Sequence, residues 1–444
     1  MAIFAGAALL PEGWVRNVRI TLDGGRIAQV RAGAAAGTGD VSVDALVPGM
    51  ANLHSHAFQR AMAGLTERRG ATADSFWTWR EMMYRFALGL DPDQMQAVAE
   101  MAYVEMLEAG FTRVGEFHYL HHDRDGAPYA DAAEMSLRIL AAAEAAGLHL
   151  THLPVFYAHS DFGGAAPGAG QRRFLHDLDG FCRLTERMAG ALRPGDRLGI
   201  APHSLRAVTE AELAELLRAH PTGPVHIHVA EQLREVEESL AHCGRRPVET
   251  LLQRFAPDGR WCLIHATHLT EAERQGMARA GVVAGLCPVT EANLGDGLFP
   301  AAEFLDEGGR IGVGSDSNVE ISLREELKLL EYGQRLVRRQ RNVLAQAEGS
   351  TGARLFGAAL AGGAQALGAP EPVLAPGAVA DLVGLRDAMG LSGPEMLDRW
   401  LFGRDIAVGE VWAAGRHLVQ AGRHVARDGI AARYGAVLRR LIEA

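Results

Sequence analysis

Hydrophobic and polar positions follow two alternating periods through the middle of the chain. Eight short β-rich runs, at 46–56, 113–119, 148–157, 198–206, 225–231, 262–268, 282–290 and 311–318, each end in polar or ionisable residues. Longer stretches with apolar residues at helical spacing lie between them, for example 92–109, 133–146, 210–219 and 271–280. A strand followed by a helix, repeated eight times, predicts an α/β fold of the (β/α)8, TIM-like barrel type. A doubly wound sheet is the alternative, but no Gly-rich phosphate turn follows the first strand. His, Asp, Glu and Arg gather at the carboxyl ends of the runs, where barrel enzymes place their chemistry.

The two ends of the chain read differently. Residues 1–48 read as short strands with a hairpin turn at Asp23-Gly24-Gly25, and residues 372–444 contain strand-like stretches at 380–385 and 409–419. Neither piece is large enough for a core of its own. Together they are expected to form one small β-sandwich domain built from both termini, leaving 49–371 as a catalytic barrel.

Composition narrows the function classes. Of 444 residues, 48% are hydrophobic and 22% charged, the balance of a globular chain of two or three domains. Lys+Arg 44 against Asp+Glu 54 gives a net charge of −10, which argues against nucleic acid as a partner. No apolar run approaches the ~20 residues of a membrane span. Residues 1–10 lack a charged leader and read as a strand. Cys182, Cys243, Cys262 and Cys287 form no C-x-x-C pair, so free thiols and a cytoplasmic location are expected.

The sharpest local feature is His54-Ser55-His56 at the end of the first barrel run. Residues i and i+2 of a strand share a face, so both imidazoles enter the barrel mouth. His228, with Glu231 three residues later, ends the fifth run; His265 ends the sixth; Asp316 ends the eighth in Gly312-Val313-Gly314-Ser315-Asp316. Singly, each has a bland account as a packed strand histidine or a tight turn. Together they set four histidines and an aspartate at one rim, where a cation removes the cost of a buried carboxylate.

In these residues the chain resembles the amidohydrolase superfamily. The segments 48–56 and 376–382 (Pro376-Gly377-Ala378-Val379-Ala380-Asp381-Leu382), the histidines of strands five and six and the strand-eight aspartate match its motif in order. Members hold one metal, or two bridged by a carboxylated lysine on strand four. The only lysine here, Lys328, lies beyond Asp316, and strand four carries His203 instead. The resemblance therefore implies a mononuclear, deaminase-like site: His54, His56, His228 and Asp316 as ligands of one divalent ion, Zn²⁺ or alternatively Fe²⁺, with His265 close by. Such an ion lowers the pKa of water from ~15.7 to about 7. Glu231 can take a proton and return it to a leaving nitrogen, while Asp316 and His265 orient and deprotonate the water. The other zinc deaminase design, H-x-E with P-C-x-x-C, is absent, since Cys287-Pro288 has the wrong order.

Substrate choice is carried by the insertion from His56 to about Leu90, which reads as a lid. Packing of the loop on the barrel accounts for Phe76, Trp77 and Trp79. Arg80, and Arg206 at the strand-four end, are suited to bidentate carboxylate binding. The stretches 54–60, 75–80, 115–119 and 287–297 narrow the resemblance to the formimidoylglutamate deiminase family of histidine breakdown. It implies hydrolysis of N-formimidoyl-L-glutamate to N-formyl-L-glutamate and ammonia, with Gln59, Arg80, Tyr119, His203 and Arg206 on the substrate, a small dicarboxylate amidine. It also implies a homodimer. The rival is a related deaminase or chlorohydrolase acting on a purine, pyrimidine or triazine ring, which would need stacking and amide-type contacts rather than two guanidinium groups. A non-catalytic scaffold is disfavoured by the complete ligand set with Glu231. Of His118, His121 and His122, at least two are expected in loops or at the surface.

Overall fold

A computed structural model describes residues 1–69, 76–390 and 393–443 of the chain. The fold is mixed α/β, with one largely antiparallel sheet from the two ends and two parallel sheets from the middle. The first four strands, β1 (Ala2–Leu10), β2 (Gly13–Asp23), β3 (Arg26–Arg31) and β4 (Val41–Pro48), precede the parallel strands. Those are β5 (Met50–Ser55), β6 (Phe111–His118), β7 (His149–Phe156), β8 (Arg197–Leu198), β9 (Ala201–Pro202), β10 (Val225–Val229), β11 (Trp261–His265), β12 (Val283–Leu286) and β13 (Arg310–Val313). The last four are β14 (Leu382–Asp387), β15 (Ile406–Ala413), β16 (Arg416–Gln420) and β17 (Arg423–His424).

The terminal strands join into one eight-stranded sheet, ordered β17-β16-β15-β14-β4-β1-β2-β3. β14 pairs antiparallel with β4, so the two ends of the chain meet strand to strand. The hairpin falls at Gly24-Gly25, whose positive φ angles of 54° and 79° close a two-residue turn between Asp23 and Arg26. In β1 buried and half-buried positions alternate over most of its length, and Ile3, Ala5, Val18, Ile20, Val43, Leu382 and Trp412 build an apolar cluster separate from the main core.

The strands β5, β6, β10 and β11 are buried along their whole length, polar positions such as Asn52, Arg113, Glu116 and His226 included. The parallel strands form the sheets β5-β6-β7-β8, with β9 also on β7, and β10-β11-β12-β13. Isolated parallel bridges link the two sheets at both edges, Ile200 to Val225 and Ser55 to Asp316. Helices Pro92–Glu108, Glu134–Ala146, Glu210–Ala219 and Glu271–Ala280 lie within a residue of their predicted spans. Capping boxes at Asp91/Gln94, Thr209/Glu212 and Thr270/Glu273 set three of their starts. The fourth run is not one strand but two two-residue pieces. The seventh is strand only to Leu286, because Pro288 starts a helix, Pro288–Leu294. Among the described residues no helix is long and apolar enough to cross a membrane.

Gly314 lies where the end of β13 passes against the backbone of β5 at the site. A Cβ there would lie 2.6 Å from the carbonyl oxygen and 2.7 Å from the nitrogen of His54, both backbone atoms that cannot yield cheaply. Gly314→Ala is expected to destabilise the protein by about 1–3 kcal/mol in denaturant unfolding; unchanged stability would show slack between β5 and β13.

Candidate metal centre and cleft

His54 and His56 leave β5 on one face, their rings 4.6 Å apart and both buried. His228 from β10 brings its Nε2 to 3.1 Å from Nε2 of His54. Asp316, after β13, sets Oδ1 at 3.3 Å from Nε2 of His56 and 3.6 Å from Nε2 of His54. Burial, reinforced by the neighbouring imidazoles, holds His54 and His228 well below the usual histidine range and brings His56 down to about 3. All three rings are therefore neutral at pH 7.

Backbone carbonyls fix two of the tautomers. Nδ1 of His56 donates to the carbonyl of Phe117 at 2.9 Å, and Nδ1 of His228 to that of His203 at 3.2 Å. A carbonyl only accepts, so the proton sits on Nδ1 and the Nε2 lone pairs face inward. Three imidazole nitrogens, all within 4.8 Å of one another, and one carboxylate on rigid strand ends thus fit a transition-metal dication.

The backbone bearing these groups is strained and pinned. Ala230, His265, Ala266, Asp316 and Asn318 all have positive φ, between 43° and 66°, at the ends of β10, β11 and β13. Asn318 holds the loop by donating Nδ2 to the carbonyls of His56 and Asp316, at 3.1 and 3.0 Å. Asn52 bonds the hydroxyl and the backbone nitrogen of Ser315, and Ser315 donates to Asn318 at 2.6 Å. The sequence carries no sign of this buried network beyond the residue types.

A second layer of charge surrounds the donors. Nδ1 of His265 donates to Oε1 of Glu291 at 3.2 Å, and that oxygen also accepts from the nitrogen of Cys287 at 2.9 Å. Nε2 of His265 is 3.7 Å from both Glu231 Oε1 and Asp316 Oδ2. Burial pulls the His265 imidazole down, but Glu231, Glu291 and Asp316 together outweigh it and raise it to about 10. Burial raises Asp316 to about 7. Glu235 braces the backbone nitrogens of Ala230 and Glu231 at 3.1 and 3.2 Å. Glu291 is revealed only by its contact with His265 from a different strand end, and Glu235 by its bonds to the turn that follows β10.

A cleft of about 700 Å³ opens above the donors. Of the eleven residues singled out in the sequence, ten line it: His56, Gln59, Arg80, Tyr119, His203, Arg206, His228, Glu231, His265 and Asp316. The eleventh, His54, is fully buried behind them. Gln59 donates to the Tyr119 hydroxyl at 2.8 Å, leaving its own Oε1 buried without a partner. Arg206 is only 8% exposed, its Nε has no partner, and among the described residues no carboxylate lies within 4 Å of it or of Arg80. The predicted lid includes the helix Phe76–Gly89, which lends Phe76, Trp79, Arg80, Met83 and Tyr84 to the cleft. Ser75, quoted with this stretch, lies outside the described residues.

Of the other histidines, His121 and His122 lie in the loop after β6, as expected of at least two of the three, while His118 ends the strand. His118 and His121 are each 1% exposed rather than at the surface, and His122 is partly buried. His118 ends β6 against His152, and His121 bonds the carbonyl of Val155.

Comparison with known proteins gives two family matches: the amidohydrolase family over residues 45–398, and the N-terminal domain of formimidoylglutamate deiminase HutF over residues 1–42. A formimidoylglutamate deiminase of Pseudomonas aeruginosa is 52% identical, covering 100% of both chains. Among solved structures, an amidohydrolase from Brucella melitensis superposes with a TM-score of 0.97 at 55% identity, over 99% of each chain. An adenosine deaminase from Xanthomonas campestris with bound zinc shares the fold, with a TM-score of 0.81 at 23% identity over 100% of this chain and 98% of that one.

The carboxylates around His265 set a titration that can be read directly. In metal-stripped protein the His265 imidazolium is expected to persist to about pH 10. Because the folded value is raised, its contribution to stability is complete below the unfolded value near 6.5 and fades as pH climbs toward 10. Glu291→Gln should lower that midpoint in histidine-resolved NMR; an unmoved midpoint would contradict the Glu291 contact.

Proposed function

The chain belongs to the amidohydrolase family, on its formimidoylglutamate deiminase branch, and from that membership we propose that the cleft hydrolyses N-formimidoyl-L-glutamate to N-formyl-L-glutamate and ammonia, a step of histidine degradation. The observation that carries the substrate is the pair Arg80 and Arg206, without carboxylate partners, across one cleft from the imidazole–carboxylate cluster. Arg206 is buried and Arg80 half-buried, and with Glu235 and Glu231 acting on Arg206 only from beyond ion-pair distance both guanidinium groups are available to an anion. A formimidoyl glutamate supplies two carboxylates at one end and a C=N carbon at the other, matching both halves of the cleft.

In this reading His54, His56, His228 and Asp316 hold one divalent ion, and the donor set suits Zn²⁺ or Fe²⁺. When bound, the ion acidifies water and polarises the amidine. His265, whose Nε2 lies 3.7 Å from Asp316 Oδ2, orients the water with Asp316, and Asp316 accepts one water proton as the oxygen joins the formimidoyl carbon and passes it on to the departing nitrogen. Glu231 takes a proton from the water and returns it to the nitrogen as the carbon–nitrogen bond breaks and ammonia leaves. Arg80 and Arg206 bind the carboxylates, with Gln59, Tyr119 and His203 completing the contacts; the unpartnered Gln59 Oε1 supports such a role.

The finer architecture belongs to the same proposal. The edge bridges between the two parallel sheets support a closed (β/α)8 barrel over 49–371. The separate apolar cluster and the shared terminal sheet support a β-sandwich domain from 1–48 and 372–444. The enzyme is read as a cytoplasmic homodimer, and four free cysteines support a reducing compartment.

Ammonia release from N-formimidoyl-L-glutamate, measured beside guanine, adenosine and cytosine, tests the reading. Turnover is expected for the first alone; preference for a ring would overturn it. Glu231→Gln should keep its metal and lose about 10²–10⁴ in rate, whereas turnover near wild type would remove Glu231 from the proton path.

A further inference from the structure

One indole gathers three guanidinium groups. Trp77 lies with its ring centroid 4.5 Å from Cζ of Arg80, 5.7 Å from that of Arg206 and 4.4 Å from that of Arg234. The three come from different places: the same helix one turn on, the loop after β9, and the helix Leu233–Cys243. Trp77 does not line the cleft, while its neighbours Phe76, Trp79 and Arg80 do.

Guanidinium groups this close repel one another, and the electron-rich face of an indole attracts each of them. Arg234 has its own anchor, an ion pair to Glu238 at 2.6 Å, and its side chain is more than half exposed. Arg80 and Arg206 have no such partner among the described residues. The rings that face them are Trp77 for both and Tyr84, 5.8 Å from Arg80, while Glu235 and Glu231 act on Arg206 from beyond ion-pair distance.

We propose that Trp77 is a positioning residue that sets Arg80 and Arg206 as a ready-made pair for a dicarboxylate. Arg234, seated on the same ring and tied to Glu238, moors the indole to the helix Leu233–Cys243. The lid helix is thereby fixed where Arg80 faces the cleft, and the two arginines are held without a protein carboxylate that the ligand would have to displace. Pre-setting lowers the ordering cost of binding, so the effect appears in affinity rather than in the chemical step.

This inference rests on the dicarboxylate reading of the cleft, and its test separates the two. Calorimetric titration of the metal-loaded enzyme with glutarate and with butyrate reads carboxylate binding without turnover. Trp77→Leu fills space but has no π face. It should reduce the preference for glutarate over butyrate about tenfold, raise KM for N-formimidoyl-L-glutamate by a similar factor and leave kcat within about twofold. Trp77→Phe, which restores a ring, should recover most of the loss. An unchanged preference in Trp77→Leu, a Phe variant no better than the Leu variant, or a wild type that does not prefer glutarate would each overturn the proposal. If the wild type prefers glutarate, Trp77→Leu abolishes that preference and no ammonia leaves N-formimidoyl-L-glutamate, the substrate assignment falls and the role of Trp77 stands.

Discussion

Three neutral imidazole nitrogens and one carboxylate, brought together where water scarcely reaches, are the constraint on which the rest of this molecule depends. Desolvation keeps protons off His54, His56 and His228, and carbonyls hold the remaining proton of His56 and His228 on the far nitrogen. Inward-facing lone pairs beside Asp316 are costly by themselves, and a shared dication is the partner that satisfies them all at once. Nearby carboxylates raise His265 to about 10 and burial raises Asp316 to about 7, so a protonated imidazole stands beside a carboxyl group that titrates near neutrality.

Keeping such a cluster together requires a backbone that would not choose this shape unaided. Five non-glycine residues at positive φ lie at the ends of three strands of one sheet. Asn52, Ser315 and Asn318 hold that strain by hydrogen bonds spanning more than 260 residues of sequence. The glycine at 314 lets β5 and the end of β13 come within backbone contact. The terminal sheet adds no side chain to the cleft; its pairing of β4 with β14 instead fixes the chain immediately before β5.

Much of this was legible in the sequence because it depends on local period. His54 and His56 share a face for the same reason that any residues two apart on a strand do, and Asp23-Gly24-Gly25 is a hairpin turn wherever it occurs. The fourth and seventh runs were less legible: hydropathy saw continuous strand where the chain makes two short pairings at β8 and β9, and where Pro288 turns β12 into a helix. Glu291 reads as an ordinary polar residue in a loop motif until the fold sets it against His265 from a different strand end. Arg80 stood out because a cation in an aromatic lid has no packing rationale. Trp77 did not, because a ring packed against hydrophobic neighbours and a ring stacked on cations look the same in one dimension. Burial of His118 and His121 gave no apolar signal in the sequence: the loop after β6 folds against β7, where His121 bonds the carbonyl of Val155.

The central claim is that one ion sits between the ligand nitrogens of β5 and β10 and the carboxylate after β13. Anomalous X-ray scattering from crystals of the purified enzyme, collected on both sides of the zinc and iron edges, addresses it most directly. The account predicts a single strong peak within coordinating distance of Nε2 of His54, His56 and His228 and of a carboxylate oxygen of Asp316. A peak centred on other side chains, or no transition-metal signal from protein that is turning over, would contradict it.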